Sequence, residues 1–259
     1  MRIMVTNDDG INAPGLKVMR EIAAQLSDDV WVVAPETDQS GASHSLTLHE
    51  PLRQRQVADQ VFAIRGTPTD CVIMGVRHIL ADSPPTLILS GVNRGSNIAE
   101  DVTYSGTIAA AMEGTLLGVR SIAMSLATGF DGSGRIKWET PVAHGPALVR
   151  QLLTAEWAPG VLMNVNFPDR DPGDVAGMQV TVQGRRDQNL LHIDKRTDTW
   201  GNPYFWLGFE RRRSNPAEGT DLAAIYAGRI SVTPLTIDLC HRATVETLTA
   251  HLSRRADSR

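Results

Sequence analysis

Ile3-Met4-Val5-Thr6-Asn7-Asp8-Asp9-Gly10 is the stretch that decides the fold. A short, continuous apolar run passes directly into an amide, two adjacent carboxylates and a glycine. Such a run, not alternating with polar residues, reads as a strand buried on both faces. Gly15–Leu26 follows, with Leu16, Met19, Ile22, Ala23 and Leu26 at helical spacing. A buried strand, a polar turn and an amphipathic helix form the first half of a βαβ unit.

Working outward, the same alternation recurs. Val30–Ala34, Val61–Ile64, Leu87–Leu89, Ser121–Leu126 and Val161–Val165 read as strands. Thr69–Leu80, Thr107–Leu117 and Pro141–Leu153 read as helices, with Pro68 near the start of the first. Strands separated by helices of this length imply a parallel sheet. The expected class is therefore α/β: a Rossmann-like three-layer sandwich with a mainly parallel central sheet. Ligands in such sheets bind beyond the carboxyl ends of the strands. The loops after Thr6, Ala34 and Leu89 are thus the ones to inspect.

Beyond residue 180 the texture changes. Residues 185–219 gather Arg185, Arg186, Lys195, Arg196 and Arg211–Arg213 beside Trp200, Tyr204, Phe205 and Trp206, with Gly201-Asn202-Pro203 as a turn. This segment reads as a protruding hairpin within a single domain spanning 1–259. Arg229–Pro234 returns to a strand, and Ala243–Leu252 closes the chain as a helix.

The bulk numbers narrow the function. The 259 residues carry 25 basic and 29 acidic side chains, a formal net charge of −4. That balance argues against a surface built to coat nucleic acid, so no stable nucleic-acid complex is expected. Two distant cysteines, Cys71 and Cys240, fit a reducing compartment and are expected to be buried, small and apolar. The N-terminal apolar run is too short for a signal peptide, and no stretch approaches the roughly 20 apolar residues of a membrane span. A soluble, cytoplasmic protein is expected.

Chemistry concentrates in three oxygen-rich loops. These are Asn7–Gly10, then Asp38–Ser43, and then Ser90–Asn97 running on through Asp101 to Tyr104-Ser105-Gly106-Thr107. All three follow strands and should converge on one crevice. Adjacent carboxylates repel unless a cation joins them, so Asp8 and Asp9 suggest a bound cation. The hydroxyl and amide oxygens of Ser40, Ser43, Ser90, Asn93 and Asn97 favour a hard ion such as Mg²⁺, Mn²⁺ or Ca²⁺ over Zn²⁺. His44 and His49 lie nearby without ligand spacing. An anionic phosphate would need neutral donors too, and the helix start at Ser105–Thr107 offers them. Taken alone, Ser105 reads as a simple N-cap.

Together, Asn-Asp-Asp-Gly at 7–10, Ser-Gly-Ala-Ser at 40–43, Gly-Thr-Pro-Thr-Asp-Cys-Val at 66–72, Ser-Gly-Val-Asn at 90–93 and Tyr-Ser-Gly-Thr at 104–107 resemble the SurE family. Ala-Ala-Met-Glu-Gly at 110–114 and Ile-Ser-Val-Thr-Pro-Leu at 230–235 extend the likeness to about residue 240. The resemblance implies one divalent metal ion per subunit, Mg²⁺ or Mn²⁺, and hydrolysis of nucleoside 5′-monophosphates. The 3′ isomers are left open. Carried over by position, Asp8, Asp9, Ser40 and Asn93 would hold the metal. Asn97, Ser105, Gly106 and Thr107 would line the phosphate site. Asp8 and Asp9 are also the catalytic candidates. Further implications are a homodimer or homotetramer, a β-hairpin arm used in assembly, and a C-terminal segment (236–259) swapped between subunits. Arg94 departs from the small residue that many relatives have after Asn93.

Rival readings fit less well. A haloacid-dehalogenase-like phosphatase needs an Asp-x-Asp spacing, whereas these acids are adjacent. A receiver domain has an acidic pair but needs a phospho-accepting Asp on a later strand, where Ser90 and Asn93 stand. No Gly-x4-Gly-Lys-Ser/Thr occurs, which removes a P-loop. The basic residues of 185–213 are interrupted by Asp187, Asp194, Asp198 and Glu210, and a solvated assembly arm fits them better than a polyanion site. Asp238 and His241 read as a surface pair or cap contact.

Overall fold

In the computed structural model, β1 (Ile3–Thr6) lies inside a nine-stranded sheet and is fully buried. The structure describes residues 1–130, 132, 134–187, 191–209 and 214–256. On one side of β1 come β2 (Val30–Pro35), β4 (Val61–Arg65) and the edge strand β3 (Arg53–Ala58). On the other come β5 (Leu87–Arg94), β6 (Arg120–Leu126), β7 (Val161–Phe167), β11 (Ile230–Thr236) and the short β8 (Met178–Val180). The run from β4 to β7 is parallel; β3 and β11 are antiparallel to their neighbours β4 and β7. The chain thus builds outward one way from β1 through β2 and β4, then the other way from β5. The reversal falls between β1 and β5, where open α/β sheets open a crevice.

Side chains of one strand divide between two cores, as a period of two requires. Ile3 and Val5 pack with Leu16, Met19 and Ile22 of α1 (Pro14–Ala24) and Leu148 and Val149 of α4 (Glu139–Thr154). Met4 faces the other way, onto Cys71 and Val72 of α2 (Pro68–Met74) and Ala110 of α3 (Gly106–Leu116). Helices on both faces make three layers. Each fully buried large aliphatic side chain contributes about 1.5–3 kcal/mol.

Local chemistry starts the helices where the pattern expects. Thr67 and Asp70 form a reciprocal capping box at α2, with Pro68 in its first turn. The helix expected over Thr69–Leu80 ends as α at Met74 and continues as a π turn over Gly75–Ile79. Three elements carry no usable periodicity. β3 is exposed along its length and β8 almost so; pairing to a neighbour, not an apolar face, makes them strands. α5 (Asp221–Tyr226) is too short for a pattern to register. Cys71 is buried, which pushes its thiol up, but Cys240 is exposed, contrary to expectation. It lies between β11 and α6 (Arg242–Ala256), beyond the sheet's cover.

β9 (Leu191–Thr197) and β10 (Pro203–Phe209) pair antiparallel as a separate hairpin, with Asp198 closing the turn by accepting from the Trp200 and Asn202 N–H groups. This hairpin occupies residues 191–209 of the expected 185–219 segment, of which 188–190 lie outside the described residues. Glu210 and Arg211–Arg213 lie outside the described residues, as do positions 257–259 of the C-terminal segment. Among the described residues, no helix is long and apolar enough to cross a membrane. Asp238 accepts from the Cys240 N–H and pairs with Arg242, while His241 pairs with Thr244, so both belong to the start of α6.

Candidate active site

A cavity of about 580 Å³ opens at the carboxyl ends of β1, β5 and β6. Asp8, Asp9, Ser40, Asn93, Asn97 and Ser105 all line it, so residues from all three oxygen-rich loops do meet. The volume is that of a small-ligand pocket.

Asp8 is nearly buried, and its environment is specific. The Thr107 hydroxyl donates to its Oδ1 at 2.6 Å across 99 residues of chain. Gly106 stands so close that a Cβ there would lie 2.8 Å from the Asp8 Cβ and 3.0 Å from Oδ2. A side chain at 106 would therefore displace the carboxylate. Gly106 and Thr107 thus back Asp8 at the start of α3, while Ser105 both caps that helix, accepting from the Ile108 N–H, and lines the cavity.

Burial raises the Asp8 carboxyl above its ordinary range, against the opposing Thr107 hydrogen bond. Asp9 is pushed up to about 6, first by burial and then by the Asp8 charge. The Arg94 backbone N–H and guanidinium pull Asp9 the other way, so Arg94 stands beside the acidic pair. The protein alone therefore leaves two neighbouring carboxylates under-compensated, the condition a cation relieves.

The neutral candidates present oxygens of the right kind. The Ser40 hydroxyl donates to Asp38 Oδ1 at 2.6 Å, which leaves its lone pairs available. Asn93 donates Nδ2 to the Gly95 carbonyl at 2.9 Å, which leaves Oδ1. The Gln39 N–H donates to the Asp8 carbonyl at 2.8 Å, tying the second loop to the first. The buried Asn7 Oδ1 and Ser90 Oγ, flanking these positions, have no hydrogen-bond partner. Among the described residues there is no cluster of three or more His, Cys, Asp or Glu side chains suited to a metal. The donor set is two carboxylates and neutral oxygens, which fits a hard divalent ion.

The backbone that brings Asn93 round is unusual. Gly91 has φ +128°, and a Cβ there would stand 2.2 Å from the Met124 carbonyl oxygen of β6. Only glycine fits. The β5–β6 register shifts between Ser90 and Asn93 at the same place. Asn97 is fixed by an amide network: its N–H donates to Asn166 Oδ1, its Nδ2 to Ser125 Oγ, and its carbonyl accepts from Asn164.

The family model described as Survival protein SurE matches residues 3–190. A 5′-nucleotidase SurE from Methylobacterium nodulans is 63% identical over 245 residues, covering 95% of this chain and 97% of the relative. The chain belongs to the SurE family. A second 5′-nucleotidase SurE, from Parvibaculum lavamentivorans, is 59% identical and covers 96% of this chain and 90% of its own. The crystal structure of the SurE protein from Aquifex aeolicus superposes with a TM-score of 0.84 at 37% identity, covering 96% of this chain and 99% of that one.

The three loops read from the sequence leave out one wall of this SurE-family cavity. Thr128, Gly129 and Phe130 follow β6 directly and line it, as do Arg186, Leu222 and Tyr226. Arg186 donates to Asp101 Oδ2 at 2.6 Å and to Glu100 Oε2 at 3.3 Å. Burial raises the Asp101 carboxyl, and Arg186 opposes that rise. The strand-end rule, extended to Ser121–Leu126, would have found Phe130. Nothing local in the sequence marks Arg186, Leu222 or Tyr226 as site residues.

Proposed function

We propose that the protein is a divalent-metal-dependent phosphomonoesterase that hydrolyses nucleoside 5′-monophosphates to nucleoside and phosphate. The observation that carries this reading is the under-compensated Asp8–Asp9 pair, which lines one cavity together with Ser40 and Asn93. Asp8, Asp9, Ser40 and Asn93 would hold one Mg²⁺ or Mn²⁺ ion. When bound, that ion supplies Lewis-acid stabilisation of phosphoryl charge.

The chain's own residues do the rest. Thr107 and Gly106 hold the Asp8 carboxylate in place. At the start of α3 the Ile108 N–H is taken by Ser105 and the Thr107 N–H by Asp8, so the Gly106 N–H and the Ser105 side chain are left to support charge on the phosphoryl oxygens, and Asn97 beside them orients the phosphate. Asp9, the more accessible acid, takes the proton from the attacking water or returns one to the leaving alcohol. Direct attack by an Asp carboxylate would leave a phospho-aspartate, which trapping during turnover would reveal.

The test is phosphate release from a panel of nucleoside monophosphates with Mg²⁺, Mn²⁺ or EDTA, using wild type and Asp9→Asn. We expect release only with metal. The substitution should cost several kcal/mol of barrier, about a thousandfold in rate. A folded wild type that releases no phosphate with either metal sinks the proposal.

We also propose that the one α/β domain assembles as a homodimer or homotetramer through its exposed appendages. Phe205 and Leu207 on β10 and Ile193 opposite them share one exposed hairpin face. Val245, Leu248 and Leu252 form a second exposed apolar stripe on α6. A second copy of the chain would cover both. The free thiols of Cys71 and Cys240 fit work in the cytoplasm.

A further inference from the structure

The part of the cavity not used by phosphate chemistry is aromatic and aliphatic. Phe130 and Tyr226 stand with ring centroids 5.7 Å apart, tilted by 58°. Ile98 and Leu222, buried beside Tyr226, complete this lining. Phe130 keeps 47% of its surface exposed at the cavity wall.

The backbone at Phe130 is tied to the neighbouring strand end. The Phe130 N–H donates to Asp169 Oδ2 at 2.7 Å. Asp169 in turn accepts from Lys137 Nζ at 2.9 Å, in an ion pair whose side chains are only 1% and 7% exposed. Asp169 follows β7, so two strand ends meet at the backbone of Phe130. A buried ion pair that anchors a half-exposed phenyl ring at a cavity wall is the arrangement of a prepared contact surface.

The separation suits a nucleotide. Asp8 follows β1 and Phe130 follows β6, with β5 between them. Two strand spacings of about 4.8 Å put the strand ends that carry these loops roughly 10 Å apart. A phosphate at the first and a base at the second would be joined across that gap by the ribose.

We propose that Phe130, supported by Tyr226 and positioned by Asp169, is the platform on which the nucleobase stacks. This inference rests on the phosphomonoesterase reading and assigns the other end of the same cavity. Arg186, which lines the cavity with Tyr226, is already engaged by the Ile98 carbonyl, Glu100 and Asp101. With two aromatic rings forming this wall, recognition runs through ring faces, which every base has.

The experiment measures kcat/KM for the 5′-monophosphates of adenosine, guanosine, cytidine and uridine, with the inhibition constant of inorganic phosphate as a probe of the phosphate end. Phe130→Ala should lower kcat/KM for all four nucleotides by about tenfold, the size of one lost stacking contact, while the phosphate constant holds within about twofold. Phe130→Trp should recover most of that loss. Unchanged nucleotide kinetics in Phe130→Ala overturn the proposal, and so does an equal change in the phosphate constant, which marks a general structural role. A loss confined to one base overturns face-only recognition. Failure of the wild type to cleave any nucleotide is a different result and falls on the phosphomonoesterase reading itself.

Discussion

The cavity at the strand ends and the β9–β10 hairpin both display polar and aromatic side chains, yet they are built in opposite ways. At the cavity each group is fixed from several directions. Asp8 is backed by Thr107 and Gly106, Asn97 by three partners, and Phe130 by a buried ion pair. In the hairpin, Phe205 is 59% and Leu207 75% exposed, and among the described residues its two strands pair only with each other. Chemistry is placed where the sheet over-determines position. Apolar surface left uncovered is placed where the chain departs from the sheet, which is where a partner can reach it.

The sharpest test of that contrast is the Lys137–Asp169 pair. Lys137→Met removes the cation from a buried carboxylate and should destabilise the domain by about 3–5 kcal/mol in denaturant unfolding. A shift near zero would mean that the Phe130 loop is not anchored as described. Gly106→Ala comes next. Its Cβ would crowd Asp8, so we expect about 1–3 kcal/mol of lost stability. The same displacement of Asp8 should slow turnover by on the order of a hundredfold. Wild-type rates in this variant would show that Asp8 tolerates displacement.

The hairpin should respond least in stability and most in assembly. Phe205→Ser with Leu207→Ser should yield monomers by sedimentation. Compared at a concentration where wild type is also monomeric, unfolding should shift by under about 0.5 kcal/mol. An unchanged oligomer would sever the hairpin from assembly. A large loss of monomer stability would erase the distinction between the two regions.

Much of the fold was legible in the sequence, and for identifiable reasons. β1, β2 and the strands from β5 to β7 are buried on both faces, so their apolar runs are continuous. α1 and α4 each bury one face, so their spacing declares them. β3 was not legible because Arg53-Gln54-Arg55-Gln56 has no apolar face to declare. In the cavity, the acidic pair announced itself because Asp8 and Asp9 are adjacent and end a strand. Phe130 did not, because a single phenylalanine after a strand is unremarkable until β6 is known to lie beside β5.

The sequence by itself therefore determined the α/β class, the family resemblance and the carboxylates at the first strand's end. Each of these is written in local periodicity or in neighbouring residues. Only the tertiary structure decided that Gly106 and Thr107 brace Asp8 across 99 residues, that Asp169 holds Phe130, and that Tyr226 from a distant helix completes the same wall. Those contacts follow from strand order. Strand order is set by the burial of all the elements together, and no short stretch of sequence records it.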